Sequence, residues 1–184
     1  HRVNPIMQTC IGPSEEHVSM AGIPTEASIL DMVERAMPGR VQNVYAHSSG
    51  GGKFIAVIQF KKTVPSDEGR QRQAALLAFS AFPELKQVIL VDEDVDIFDT
   101  NDVLWAMTTR MQADVDIVTI PGVRCHPLDP SNDPACSWSI RDHGIACKTI
   151  YDATVPFNQK ARFQRAKFME VDVKKFLPDF TVQD

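Results

Sequence analysis

Apolar and polar positions along the chain alternate at two periods, and the clearest switch between them falls near its middle. Residues 88–91 are a continuous apolar run rich in β-branched side chains, which predicts a strand buried on both faces. The run ends in five acidic residues, Asp92, Glu93, Asp94, Asp96 and Asp99. Thr100 is placed to cap a following helix, with Asn101 and Asp102 in the first turn, where the helix dipole favours them. Val103, Leu104, Trp105 and Met107 carry an amphipathic helix to Arg110, and residues 116–120 predict the next strand. Strand, acidic loop, helix and strand read as a βαβ unit.

The same reading extends to both sides. Residues 4–11 predict a first strand, broken by Gly12-Pro13-Ser14, and residues 15–23 a loop or short turn. Pro24 and Thr25 then open a helix whose Ile29, Leu30, Met32, Val33 and Met37 recur at helical spacing. Residues 41–48 and 54–60 are strands joined by Ser49-Gly50-Gly51-Gly52-Lys53, a hairpin signal. Residues 67–82 predict a second helix, with Ala74, Leu76, Leu77 and Phe79 on its apolar face. Beyond Ile120 a long proline-rich loop carries Pro121, Pro127, Pro130 and Pro134, and residues 145–151 return to strand. The alternation predicts an α/β domain, a three-layer α/β/α sandwich around a mixed sheet, since an early hairpin is incompatible with a purely parallel one. The domain is expected to span 1–162, with 163–184 an extended carboxy-terminal tail that is partly helical. Its Phe168, Met169, Val171, Val173, Phe176 and Leu177 need a surface to cover, within the chain or on a neighbouring subunit.

At 184 residues the chain suits one well-cored domain. Its net charge of -5 argues against a nucleic-acid or anionic-membrane partner, since both select a basic face. No apolar run approaches the roughly 20 residues of a membrane span and no signal peptide is visible, so a cytoplasmic protein is expected. Cys10, Cys125, Cys136 and Cys147 form no Cys-x-x-Cys pair, so reduced thiols are expected rather than a disulfide or zinc framework. A start at His1 rather than Met suggests a fragment or processed product.

Several motifs invite chemistry. Asp92-x-Asp94-x-Asp96 resembles the start of a calcium loop, but Ile97 and Val103 occupy the positions that need Gly and a bidentate acid. Carboxylates at a strand's carboxyl end face the usual ligand crevice of an α/β sheet, and Asp92, Asp94 and Asp96 could hold a divalent ion in a nucleotide-sugar transferase. The plain alternative is that they are solvated, cap the next helix or bind a neighbouring loop. Gly50-Gly51-Gly52-Lys53 lacks the flanking residues of a phosphate loop, since His47 and Phe54 stand where Gly and Ser or Thr belong. His126 opens the proline-rich loop, where an imidazole can serve as acid, base or hydrogen-bond donor, although a lone His is often structural. His17 and His47 are weaker candidates, and His143, beside Asp142 and Gly144, reads as surface.

Six segments taken together resemble the carboxy-terminal domain of the UbiD family of prenylated-FMN-dependent decarboxylases. They are residues 12–17, 21–27, 49–54 and 121–130, the stretch Val91 to Asp99 with Asp102 to Arg110, and Lys148 with Tyr151-Asp152-Ala153-Thr154, in family order across nearly the whole chain. In that family the amino-terminal part carries the flavin-binding barrel, the catalytic Arg and Glu residues, and the Asn, His and Glu that hold a divalent, manganese-like metal. No counterpart of those motifs occurs here.

The resemblance implies the carboxy-terminal part of a reversible, non-oxidative decarboxylase of hydroxybenzoate-type acids, inactive by itself. Its partners would be a small aromatic carboxylic acid, the amino-terminal flavin-binding domain of the same enzyme, and further copies in a homo-oligomer. It places Ala21, His126 and Leu128 against the substrate. Family members that act on ferulic acid have Phe where His126 stands and a bulkier aliphatic at Ala21; an imidazole can hydrogen-bond a ring hydroxyl and a phenyl ring cannot. Those members also have a cofactor-reaching Lys near the second helix, which residues 78–82 do not supply. Readings from other classes are the metal-dependent transferase and a non-catalytic oligomerisation domain built on the apolar tail.

Overall fold

The computed structural model describes residues 15–126, 129, 131, 145–166, 169 and 173–176. Its strands are β1 (Val41–Ala46), β2 (Ile55–Phe60), β3 (Gln87–Val91), β4 (Ile117–Arg124) and β5 (Ile145–Ala153). Among the described residues these form one mixed sheet in the order β1-β2-β3-β5-β4. β2, β3 and β5 run parallel, and β1 and β4 are antiparallel edges. The helices are α1 (Glu15–Ala36), α2 (Arg70–Ala81) and α3 (Thr100–Arg110), with single turns α4 (Ala113–Asp116) and α5 (Val173–Phe176).

Strand side chains alternate between faces, and this period splits the core in two. Ala56, Ile58 and Phe60 of β2 and Val88 and Leu90 of β3 meet Ile29 and Val33 of α1 and Ala74, Ala78 and Phe79 of α2. Val57, Ile89 and Val91 point the other way, against Val103 and Ala106 of α3. Two helices on one face and one on the other make the expected three-layer sandwich. A shift in pairing between Val41 and Asn43 lets Val41 and Val44, three positions apart, both enter the first cluster.

The boundaries differ from expectation in four places. α1 begins at Glu15, so Ala21 and Ile23 are helical and Pro24 lies inside the helix. Proline costs one backbone hydrogen bond, and the Thr25 hydroxyl donates to the Ala21 carbonyl at 2.7 Å in the same turn. Asp99, not Thr100, caps α3, its carboxylate accepting the Asn101 N–H. β4 does not complete a parallel βαβ unit with β3: it lies outside β5 and antiparallel to it, and continues through Pro121 and Gly122 to Arg124. Residues 65–67 form a tight turn ahead of α2, because Asp67 is drawn into other bonds. Its buried carboxylate accepts the Thr63 and Val64 N–H groups and the Thr63 hydroxyl, and pairs with Arg40 at 3.0 Å. The strand expected over residues 4–11 and most of the proline-rich loop and tail lie outside the described residues.

The acidic carboxyl end of β3 is closed by Arg110. Its guanidinium takes both oxygens of Asp94 at 2.8 and 2.6 Å and reaches Asp92 at 3.1 Å. The Val155 N–H donates to Asp92 at 2.7 Å, Lys160 pairs with Glu93, and Arg165 spans Asp94 and Asp102. Arg110 and Arg165 also flank the Trp105 ring, with guanidinium carbons 5.0 and 4.3 Å from its centre. Burial pushes the Asp92 carboxyl above its ordinary range, with the Val155 bond pulling back. At Asp94 burial pushes up too, but the forked Arg110 bond outweighs it and holds the group low.

Two outcomes follow. Arg110→Met should destabilise the fold by about 3–5 kcal/mol in urea unfolding, because Asp92 stays buried without its hydrogen-bonded cation and Asp94 loses its forked partner; a change near zero would contradict this. At Asp67, burial raises the carboxyl but the Thr63, Val64 and Arg40 bonds outweigh it, so its native value lies below 3.8. Its contribution is therefore complete above the ordinary carboxylate range and is lost as pH falls through the lower native value. Asp67→Asn should lower the urea midpoint at pH 7 and flatten its decline below about pH 4. An unchanged acid limb would show that Asp67 is not responsible.

Candidate functional site

Of the residues singled out by resemblance, Ala21 and His126 do not lie at the carboxyl end of the parallel strands. They gather at the opposite edge, where β2, β3 and β5 begin and β4 ends. Lys53 precedes β2, Glu84 precedes β3, and His126 follows β4. The amino-terminal half of α1 brings Ala21 to the same edge. Met20, Ala21, Pro24, Lys53, Phe82 and Glu84 line an open cleft of about 340 Å³. His126 adjoins it, 9% exposed, with Nε2 3.5 Å from Oε2 of Glu84 and its ring edge-on to Phe54. Lys53 Nζ approaches the same Glu84 oxygen at 3.6 Å. Ala21 and His126 are thus brought together with Glu84 between them; Leu128 lies outside the described residues.

Each part of this edge has a local cause. Lys53 is presented by the glycine turn, where Gly51 and Gly52 adopt the left-handed conformation that other residues resist. A Cβ at Gly50 would sit 2.6 Å from the Ile55 side chain, so no larger residue closes the hairpin there. The N–H groups of residues 50–54 all bond to carbonyls of residues 47, 48 and 50. The turn therefore has no free amides to cradle a phosphate. His47 ties the turn to α3: Nδ1 accepts the Ser49 N–H and Nε2 meets the Thr100 hydroxyl at 2.8 Å. With its ring oriented by these contacts, His47 serves the scaffold.

Glu84 sits on a turn pinned from below by Lys148. The Lys148 ammonium, buried on β5, donates to the Pro83 and Leu85 carbonyls at 2.7 and 2.5 Å and lies over the Phe79 ring. The buried Cys125 thiol reaches the Glu84 carbonyl itself. Burial lowers the Lys148 pKa, and among the described residues no carboxylate pairs with it. Next along, Lys86 pairs with Asp129 at 2.8 Å and bonds Ser131, while the Asp129 N–H returns to the His126 carbonyl. Burial pushes the Asp129 carboxyl up, but the Lys86 and Ser131 bonds outweigh it and keep it low. One turn thus positions Glu84 and anchors the start of the loop that bears His126.

A cavity of about 410 Å³ at the carboxyl end of β3 is walled by Asp92, Asp94, Arg110, Lys160, Phe163 and Arg165. Its carboxylates already have protein partners, which favours an architectural role over ion binding. Among the described residues no group of three or more His, Cys, Asp and Glu side chains is arranged to hold a metal. Sequence reasoning missed Lys53 and Glu84 as cleft residues. Lys53 was visible only as the last residue of a failed phosphate loop, and Glu84 as one acid in a Pro-Glu turn.

Comparison with known proteins gives the family. The profile of the 3-octaprenyl-4-hydroxybenzoate carboxy-lyase C-terminal domain (UbiD_C) matches residues 18–153. The chain is 62% identical over 179 residues to the gallate decarboxylase of Lactiplantibacillus plantarum, covering 96% of this chain and 36% of that protein. It superposes on the apo 3,4-dihydroxybenzoic acid decarboxylase of Enterobacter cloacae with a TM-score of 0.84 and 63% identity, over 91% of this chain and 34% of that one. The UbiD-class enzyme HmfF of Pelotomaculum thermopropionicum, solved in complex with FMN, follows at 0.77 and 33%, covering 91% of this chain and 35% of that one. The chain spans about a third of the length of these relatives. It belongs to the UbiD carboxy-terminal domain family.

Proposed function

We propose that the chain forms one wall of the substrate cleft in a larger, prenylated-FMN-dependent decarboxylase of hydroxylated aromatic acids. The observation that carries the reading is the meeting of Ala21, Lys53, Glu84 and His126 at one cleft, in a chain over 60% identical to decarboxylases of gallate and 3,4-dihydroxybenzoate. Decarboxylation breaks the bond between ring and carboxylate, carbon dioxide leaves, and a proton takes its place. Held with a divalent metal by the rest of the enzyme, the flavin would supply the sink for the electron pair left on the ring. This chain's part is to bind, orient and exclude water.

In this reading His126 bonds a ring hydroxyl, Ala21 leaves room for ring substituents, and Leu128 shapes the pocket wall. Small Ala21 sits beside exposed Met20 and Ile23, an apolar rim suited to closing against the flavin domain. Residues 163–184 form a tail that packs between domains or subunits of a homo-oligomer, and exposed Met169 and Phe176 support that role. Among the described residues no helix is long and apolar enough to cross a membrane, in keeping with a cytoplasmic enzyme.

In the full-length protein, produced together with a flavin prenyltransferase, His126→Phe should lower kcat/KM for 3,4-dihydroxybenzoate by about ten- to a hundredfold. Unchanged kinetics would remove His126 from substrate recognition. Absence of decarboxylation by the loaded wild-type enzyme on any hydroxybenzoate would overturn the reading as a whole.

A further inference from the structure

The mechanism sketched above leaves one feature of the cleft unused: the care with which the fold positions Glu84. Its backbone is held on three successive carbonyls, Pro83 and Leu85 by the Lys148 ammonium and Glu84 by the Cys125 thiol. The amides of Lys86 and Gln87 both donate to the Phe54 carbonyl, and the Thr149 N–H donates to that of Lys86. Burying an ammonium is costly unless it is hydrogen-bonded, and among the described residues these carbonyls supply the bonds, which tie the turn to β5. The side chain turns the other way, into the cleft, and stays partly exposed.

The geometry of the carboxylate is equally specific. Oε2 faces both Lys53 Nζ and His126 Nε2, at 3.6 and 3.5 Å. Those separations exceed a good hydrogen bond, so the carboxylate is held by charge more than by tight hydrogen bonds and keeps lone pairs for a ligand in the cleft. Oε1 takes no hydrogen bond among the described residues. An ionised carboxylate is acceptor-only, so the ligand atom it invites carries a proton: a hydroxyl or an amine, not a second carboxylate. Lys53 on the far side supplies donors and positive charge. A carboxylate beside an ammonium and an imidazole, in a cleft with Ala21, Pro24 and Phe82 for an aromatic ring, matches a phenolic ring edge.

We propose that Glu84 is a specificity-determining residue of the cleft, accepting the proton of a ring hydroxyl and so selecting acids that carry one. The inference rests on the decarboxylase reading. A Glu84 acceptor distinguishes hydroxylated rings from bare ones, and methylation of the hydroxyl removes the donor it reads. It acts on binding and orientation, not on bond cleavage.

The test uses the full-length enzyme, wild type and with Glu84→Leu and Glu84→Gln. Dissociation constants for 3,4-dihydroxybenzoate and benzoate are measured by calorimetry on the flavin-free form, and kcat and KM on the loaded form. Glu84→Leu should weaken 3,4-dihydroxybenzoate by about ten- to a hundredfold while leaving benzoate unchanged. Glu84→Gln, which keeps a neutral acceptor, should fall between the two. The loss should appear in KM more than in kcat. Equal weakening of both acids, or no change in their ratio, overturns the assignment. If the wild-type enzyme decarboxylates and the ratio is unmoved, only Glu84 is wrong. If the loaded wild type decarboxylates no aromatic acid, the parent reading falls and this inference with it.

Discussion

A buried lysine ammonium organises the candidate edge of this domain. Lys148 lies on the parallel strand β5, and among the described residues its charge is answered by the Pro83 and Leu85 carbonyls and the Phe79 ring. Carbonyl dipoles are a poorer answer than a carboxylate, and burial lowers the pKa of the group. What the arrangement secures is a fixed turn between α2 and β3. That turn carries Glu84 into the cleft and, through Lys86 and Asp129, ties down the start of the proline-rich loop beside His126.

The two ends of the sheet therefore do different work. At the carboxyl end of β3, where open α/β sheets usually receive ligands, Arg110, Lys160 and Arg165 pair with the acids and tie α3 and the segment after β5 to the strand. At the amino end, a carboxylate, an ammonium and an imidazole meet with longer separations beside small and apolar side chains. Short, crossed ion pairs occupy acceptors at the first end, and the longer ones leave Glu84 with acceptor capacity for a ligand. Antiparallel β4 is what makes the second arrangement possible, because running it backwards along β5 returns His126 to the edge where β3 starts.

Much of this was legible in the sequence, and the reasons for the rest are physical. β2 and β3 read clearly because a strand covered on both faces must be continuously apolar. The hairpin read clearly because only glycine closes so tight a turn beside Ile55. The first half of α1 did not, since Pro24 resembles a helix start even where Thr25 supports the helix around it. The place of β4 was hidden too, because periodicity reports a strand's faces and not its neighbours. Ala21 came from resemblance to a family alone, and His126 from its loop position as well as the resemblance. Lys53 and Glu84 could not be found locally: each is an ordinary turn residue until the sheet brings residues 53, 84 and 126 together.

On this reading the ligand enters at the amino edge of the parallel strands and not at the acidic strand end. A crystal structure of the full-length protein with 3,4-dihydroxybenzoate bound tests it most directly. The ring should lie beside Ala21 with a hydroxyl within hydrogen-bond reach of Glu84 and His126, and Asp92 and Asp94 should keep their Arg110 contacts. A ligand or metal held instead by Asp92 and Asp94, with the cleft beside Glu84 empty, would contradict it.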